Sequence, residues 1–302
     1  MKLPAFTFTA AAVLMLFFIG CISPKGDVMH FEIEMEVVEP DGIDDALQTI
    51  DVLMKRIENI ATSKKIIFER QPDSYRYNVE FSTTSSPEAV RQLLTTPGNL
   101  TIWETYDISE FQHLPGYLLE DHSIDTEVGS ALLYGYTQGN PCSFPIPEAL
   151  AEECYELLQL LWVKGYIPRN SVPAFGELAE NNGEEYRNIY MLKSSHRENG
   201  YVLSGANVKK AKAMYGHTNN PEILLELDEE GKLIFSRVTY DNIGRQLAFV
   251  LDDVVLMAPM VQSGIDGGKV TVTGPKDMEE AAMVAIMLNH GMLRVPVNIV
   301  TQ

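Results

Sequence analysis

The sequence predicts an α+β fold of two small units of similar order, separated by an inserted region. Three observations carry that reading. Short runs near both ends alternate with a period of two. The first hundred residues spell out strand, helix, strand, strand, helix, strand, and the last hundred nearly repeat it. The middle of the chain is rich in turns and follows neither pattern. A length of 302 residues suits one large domain or two small ones. With 45% hydrophobic and 22% charged residues, the composition is that of an ordinary globular chain.

His30 to Val37 alternates strictly, with Phe31, Ile33, Met35 and Val37 on one face and Glu32, Glu34 and Glu36 on the other. That is the pattern of a half-buried strand. Ile43, Leu47, Ile50, Met54 and Ile57 then recur at helical spacing, with Asp41 or Asp44 available as N-cap. Lys65–Arg70 and Tyr75–Phe81 read as two strands around the turn-like Gln71-Pro72-Asp73-Ser74. Ser85-Ser86-Pro87-Glu88 reads as a capping box with Pro in the first turn, opening a helix that runs to Leu94. Leu100–Tyr106 reads as the closing strand. The order is β-α-β-β-α-β, the ferredoxin-like order, and it predicts one ferredoxin-like unit over 28–106.

Residues 201–302 predict a second ferredoxin-like unit with one extra strand, packed on the first because each alone is small. Its elements are a helix capped by Ser204 over about Ala206–Tyr215, a strand Ile223–Leu227, and a helix carrying Leu233, Phe235, Val238 and Ile243. Strands Leu247–Leu251 and Val254–Met257 flank Asp252-Asp253, a hairpin signal without the usual Gly. Lys269–Thr273, a helix over Lys276–Leu288 and a strand Val295–Val300 complete it. The insertion, 107–200, is expected to be a loop-rich head decorating the core. It holds one clear helix near Pro147–Lys164 with Leu157, Leu160 and Leu161 on one face, and Trp162 and Phe175 call for burial.

The first 20 residues have the layout of a signal peptide: a short positive start, then an uncharged, mostly apolar run from Ala5 to Gly20. The Gly20-Cys21 junction resembles the bacterial lipobox, which makes Cys21 the lipidated N-terminus and 21–27 a tether. The run is shorter than the roughly 20 residues that span a bilayer, although an uncleaved anchor with an incidental Cys is the other reading. Both put the body outside the cytoplasm, in the cell envelope and facing the periplasm. No second stretch is long enough for a multi-span bundle. Cys142 and Cys154 remain as an even pair in an oxidising compartment, a candidate disulfide, with two buried unpaired thiols as the alternative.

The formal net charge of −19 disfavours a nucleic-acid surface, which needs clustered Lys and Arg, and equally disfavours a polybasic membrane patch. His30, His113, His122, His196, His217 and His290 form no metal-ligand spacing, and no nucleophile elbow or P-loop is present. Glu120-Asp121, Asp125 and Glu127 lack the spacing of a calcium loop and read as a solvated acidic surface. Gly264, Gly267 and Gly268 read as a tight turn into a strand rather than an anion cradle. Met257, Met260, Met278, Met283, Met287 and Met292 read first as core, and their exposed share as an adaptable binding surface. No catalytic residue, metal or cofactor is predicted, and no enzyme activity.

Several segments, in order, resemble a known family. Leu203-Ser204-Gly205-Ala206-Asn207-Val208 is similar to the L-[TS]-G-x-[DN]-[VL] element of the protein-export membrane protein SecD, and Leu247–Asp252 with Ala258-Pro259 resembles its L-A-I-V-L-D strand and following A-P. Gly267-Gly268 and Val270–Gly274 resemble G-G-x-A-x-I-T-G, Glu280-Ala281 its E-A helix, and Gly291–Pro296 its G-A-L-P-x-P ending. Leu53–Asn59 resembles L-x-x-R-[VI]-[DN], and Gly98–Ile102 resembles G-x-L-x-F. The resemblance covers about 28–106 and 200–302. It implies a ferredoxin-like base with a mobile head that holds emerging polypeptide. The family's entry motif L-D-L-Q-G-G and its proton-carrying membrane helices have no counterpart here, which implies a module without its own proton-coupled membrane domain. The expected partners are translocating or unfolded polypeptide, or a Sec translocon or other envelope complex, engaged by strand addition at a sheet edge with apolar pockets. The alternative is an envelope structural or ligand-binding lipoprotein that reuses the fold.

Overall fold

A computed structural model describes residues 26–38, 42–72, 74–121, 124–138, 142–194 and 200–301. The expected signal peptide, 1–20, and Cys21 lie outside the described residues. The first elements follow the expected order: β1 (Asp27–Met35), α1 (Ile43–Ile60), β2 (Ile67–Arg70), β3 (Arg76–Thr83), α2 (Pro87–Thr95) and β4 (Leu100–Thr105). The insertion contributes α3 (Leu114–Glu120), α4 (Thr126–Gln138), β5 (Ser143–Pro147), α5 (Ala151–Val163), β6 (Ser171–Asn181) and β7 (Glu184–Lys193). The remainder is β8 (Leu203–Ser204), β9 (Val208–Tyr215), β10 (Pro221–Leu227), α6 (Glu229–Asp241), β11 (Leu247–Leu251), β12 (Val254–Met257), β13 (Lys269–Thr273), α7 (Met278–His290) and β14 (Val297–Thr301).

The first sheet runs β14-β1-β3-β2, antiparallel throughout. Its inner face is the predicted one: Phe31, Ile33 and Met35 pack with Tyr77, Val79 and Phe81 against Ala46, Leu53 and Ile57 of α1 and Val90 and Leu94 of α2. Each fully buried side chain of this size contributes about 1.5–3 kcal/mol. The strand expected to close this unit is elsewhere. β4 pairs with β11, Leu100 opposite Leu251, and the place beside β1 is taken by β14 from the far end of the chain. The N-terminal segment therefore does not complete its sheet alone.

A second, three-stranded sheet has the order β13-β10-β9. Here the helix expected over 206–215 is strand β9, paired with β10 from Val208 to Tyr215. Ala211 is buried and Ala213 partly so, while Lys210 and Lys212 are exposed, a period of two that the short Ala/Lys-rich segment shares ambiguously with a helical reading. Ile223, Leu225, Val270 and Val272 turn inward onto α6, α7 and β11.

The third sheet has the order β5-β7-β6-β12-β11-β4-β8, and β7 pairs again with β4. That last pairing, Glu104 with Lys193 and Thr105 with Leu192, closes β4, β7, β6, β12 and β11 into a five-stranded ring. Leu192, Ala248, Val250 and Val255 are packed together with Trp103, Ala174 and Tyr190 across this ring. Closure removes exposed strand edges. The insertion is thus more than a decoration, because its long hairpin supplies two of the five strands. The hairpin turns at Asn182-Gly183, both at positive φ (54° and 84°), the Asn-Gly signature of a two-residue turn.

Three local expectations change. α1 starts at Gly42 with no side-chain cap. α2 is capped by Ser86, whose Oγ accepts the Ala89 N–H (3.2 Å), while Glu279 of α7, not Glu88, accepts from Ser86 N and Oγ (2.7 and 2.8 Å). On α5, Leu157 and Leu161 are buried but Leu160 is 46% exposed and Trp162 41% exposed. Phe175 is only partly buried.

Candidate functional site

Four of the segments that carry the resemblance, 53–59, 98–102, 247–252 and 291–296, meet around one side chain. Arg56 sits on the apolar stripe of α1 beside Leu53 and Ile57 and is wholly buried. Its guanidinium donates to four backbone carbonyls: Nη1 to Leu93 O (3.0 Å) and Thr96 O (2.7 Å), Nη2 to Pro97 O (2.7 Å) and Gly291 O (2.9 Å). The C-terminal carbonyls of a helix have no intrahelical partners, and Arg56 supplies them for α2 while tying the loop after α7 to the same point. Burial lowers its pKa to about 10 and the nearby Asp252 carboxylate pulls it back up, so it stays charged at neutral pH. Charge-assisted bonds of this kind are the stronger ones.

Asp252 stands in the β11–β12 turn, where Asp252 and Asp253 both have positive φ (49° and 68°). Its carboxylate accepts the N–H groups of Gly98 (3.0 Å) and Asn99 (2.8 Å). Gly98 has φ +82°, and a Cβ there would lie 2.8 Å from Arg56 Nη2, so the close approach requires glycine. Nearby, Thr49 Oγ1 accepts from Arg294 N and Val295 N (2.9 and 3.2 Å), and Asn59 Nδ2 lies 2.7 Å from His290 Nε2. Burial, followed by Lys55 and Arg56, lowers the His290 pKa. These residues fasten α1, α2, α7 and the β11–β12 hairpin into one body.

The second feature is an open groove of about 290 Å³ beside α6. Phe235, Leu247, Phe249, Met257, Val261 and Val270 give it an apolar floor, and Gln262, Ser263 and Lys269 lie among its polar lining. One lip is the outer edge of β13, which among the described residues pairs only with β10. Thr273 N reaches across that edge to Met257 Sδ at 3.3 Å, and Thr273 Oγ1 to the same sulfur at 3.5 Å. The other lip is the continuation of β12. There Leu247 N donates to Pro259 O and Val261 N to Arg245 O, with Met260 opposite Gln246. Met260 is 45% exposed, whereas Met283 and Met287 are buried against Ala89 and Leu93 between α2 and α7.

Sequence reasoning did not single out Arg56 as a node or the groove as a site. An arginine at i+3 from Leu53 and i−1 from Ile57, on a stripe that must be buried, was the available signal for the first. The groove depends on which strand edges remain unpaired, and no local pattern encodes that.

The other candidates are resolved individually. Cys142 and Cys154 are free and buried, not bridged. Cys154 Sγ donates to Val128 O of α4 at 3.7 Å, and burial pushes both thiols up to about 12. Asp125 accepts from Glu127 N and Val128 N at the start of α4, and Asp121 pairs with Lys164 at 2.9 Å. Among the described residues no group of three or more His, Cys, Asp or Glu is placed to hold a metal ion. His122 and His196 lie outside them. Gly268, at φ +62°, accepts the Leu227 N–H as the chain turns into β13.

Residues 182–295 match the family model described as the SecDF P1 head subdomain. The protein translocase subunit SecD of Acidaminococcus fermentans is 39% identical over 110 residues, which is 36% of this chain and 26% of that protein. SecD of Rickettsia typhi is 34% identical over 140 residues, 46% of this chain and 25% of that protein. SecDF of Thermus thermophilus is 37% identical over 98 residues, 32% of this chain and 13% of that protein. The matched stretches therefore span about a quarter or less of these relatives. A crystal structure of SecDF in a super-membrane-facing form superimposes with a TM-score of 0.54 at 22% identity, over 92% of this chain and 30% of that one. A structure of SecDF, described as a membrane component that enhances protein export, gives 0.52 at 21% identity, over 91% of this chain and 99% of that one. By sequence over residues 182–295, and by fold over most of its length, the chain is similar to SecD and SecDF, with the P1 head subdomain as the matched part.

Proposed function

We propose that this protein is a membrane-anchored, SecD-like binding module on the extracytoplasmic side, which engages translocating or unfolded polypeptide beside a protein-export complex and catalyses no reaction. The observation that carries the reading is the groove beside α6. All of its lining residues fall between Phe235 and Thr271, inside the stretch that matches the P1 head subdomain. Its apolar floor suits side chains of an unfolded chain, and its methionine lip suits many sequences rather than one. The anchor in this reading is lipid on Cys21, with 21–27 as tether, the body resting on the periplasmic face. Among the described residues no helix is long and apolar enough to cross a membrane. The domain scheme in this reading is two ferredoxin-like units, at 28–106 and 201–302, around 107–200, with the closing strands exchanged and the head-subdomain match falling on 182–295 rather than on 107–200.

A photocrosslinking residue at Met260 or Thr271 is expected to capture a stalled export intermediate in cells. Crosslinks confined to an envelope complex that handles no translocating chain would replace this reading with a structural or ligand-binding lipoprotein. For the anchor, intact mass of the membrane-extracted protein is expected to start at Cys21 and carry acyl chains. A Cys21→Ala protein that still carries them would end the lipidation proposal.

A further inference from the structure

Backbone geometry at the groove specifies how a guest chain would be held. In an antiparallel pair, successive residues turn their N–H and C=O alternately toward and away from the partner. β13 lies opposite β10 in the register Leu225–Val270 and Ile223–Val272. Leu227 N donates to Gly268 O, and Thr273 N points out to Met257 Sδ. Gly268, Val270 and Val272 therefore bond β10, while Lys269, Thr271 and Thr273 present their main-chain groups to the groove. Of these outward groups, the Thr273 N–H is taken by a thioether, a weak acceptor that an amide carbonyl displaces readily.

The facing lip repeats the arrangement. Leu247 N to Pro259 O and Val261 N to Arg245 O bracket the Gln246–Met260 pair, which turns the Met260 N–H and C=O away from β11. Leu256 O also faces the far lip, for a Cβ on Gly274 would lie 3.6 Å from it. Two open backbone edges thus flank one apolar floor. The opposite edge of the same small sheet is not open in this way. On β9, Asn289 of α7 accepts from Ala211 N (2.8 Å) and donates to Ala211 O (2.9 Å), so a side-chain amide occupies the rung where a strand would bond.

Resting on the polypeptide reading above, we infer that the guest is captured as an added β-strand on the β13 edge. It bonds Lys269 and Thr271 through its main chain, displaces Met257 from Thr273, and sends alternate side chains onto Phe235, Phe249 and Val270. The guest that fits is a short extended segment with apolar residues at every second position. The net charge of −19 favours one with basic ends, by electrostatic steering. Strand addition draws affinity from the main chain and preference from alternate pockets, so many sequences share the site.

The test uses the mature protein and a fluorescent ten-residue peptide of alternating valine and threonine with a lysine at each end, read by anisotropy. A second peptide carries N-methyl groups on alternate residues along one edge, and a third carries N-methyl groups on the other edge. One of these two is expected to bind on the order of tenfold more weakly, the loss of a few main-chain hydrogen bonds, and the other nearly as well as the parent. In the protein, Thr271→Pro removes an outward N–H without touching the β10 ladder, a place where an edge strand accepts Pro. It is expected to cost a similar factor, with Thr271→Val as a control that keeps binding. Exchanging the terminal lysines for glutamates is expected to weaken binding several-fold at low salt. Equal binding of both N-methylated peptides, or full binding by Thr271→Pro, would overturn strand addition while leaving polypeptide capture through side chains intact. No binding of the parent peptide, nor of a reduced and unfolded full-length protein, would overturn the functional reading along with it.

Discussion

At the scale of single residues, Arg56 decides the most. It holds four carbonyls from two separate segments, 93–97 and the turn at Gly291, and its Nε is buried without a partner among the described residues. Removing the guanidinium leaves those carbonyls dry and unpaired. Arg56→Ala is therefore expected to destabilise the protein by about 3–5 kcal/mol in urea unfolding, the range for breaking a buried charged network. Arg56→Lys keeps the charge but loses the fork, and is expected to fall between Ala and the parent. A loss below 1 kcal/mol for Ala would mean that water replaces the side chain. The buried thiols give a second residue-scale expectation. With both pushed up to about 12 by desolvation, Cys142 and Cys154 are poor nucleophiles. Ellman's reagent at pH 8 is expected to find almost no reactive thiol in the native protein and two more in denaturant than a Cys142→Ser/Cys154→Ser variant shows. A bridge would leave neither reactive until reduction.

At the scale of elements, most of the strands and helices near both ends were legible because each buries one clean face. Phe31, Ile33 and Met35 alternate, and Leu53 and Ile57 recur at helical spacing, so period alone identified β1 and α1. The Asp252-Asp253 hairpin was legible too, from two turn-tolerant residues between apolar runs. β9 was not, because alanines and lysines carry little periodic contrast, and its strand state depends on β10 alongside it and Asn289 at its edge. The β6–β7 hairpin was missed for a different reason. Asn182-Gly183 carries a turn signal in the sequence, but β6 shows poor alternation, with exposed Val172 and Leu178 and a register shift between Phe175 and Leu178. That irregularity belongs to a strand bending into a ring. The groove was beyond reach at this scale, since only the topology shows that β13 ends a sheet.

At the scale of the whole molecule, the exchange of closing strands binds the parts together. β4 leaves the first sheet for the ring, and β14 returns from the other end to replace it. A charge placed at Val297, which is 3% exposed and opposite Met35, is expected to unpair β14 from β1. Hydrogen exchange on Val297→Asp is expected to lose protection across 27–35 while the amides of 247–251 keep theirs. Uniform loss across both would show that sheet and ring unfold as one unit, contrary to the separate cores seen here. His290 gives the molecule a pH sense. Its lowered native pKa means the unfolded chain takes up a proton first as pH falls below about 6.5, so stability is complete above that value and declines beneath it.

The strand exchange also sets an order in time. Glu32 and Thr301, which meet across β1 and β14, are 269 residues apart in the chain. β1 therefore finds this neighbour only after all the described elements between them have been synthesised. Pairings of such separation close slowly. Until then β1 carries an uncovered edge, the kind of surface that recruits helpers or stray strands. A chain interrupted anywhere before residue 297 keeps that edge bare, so completion of the first sheet reports that every element between β1 and β14 has been made.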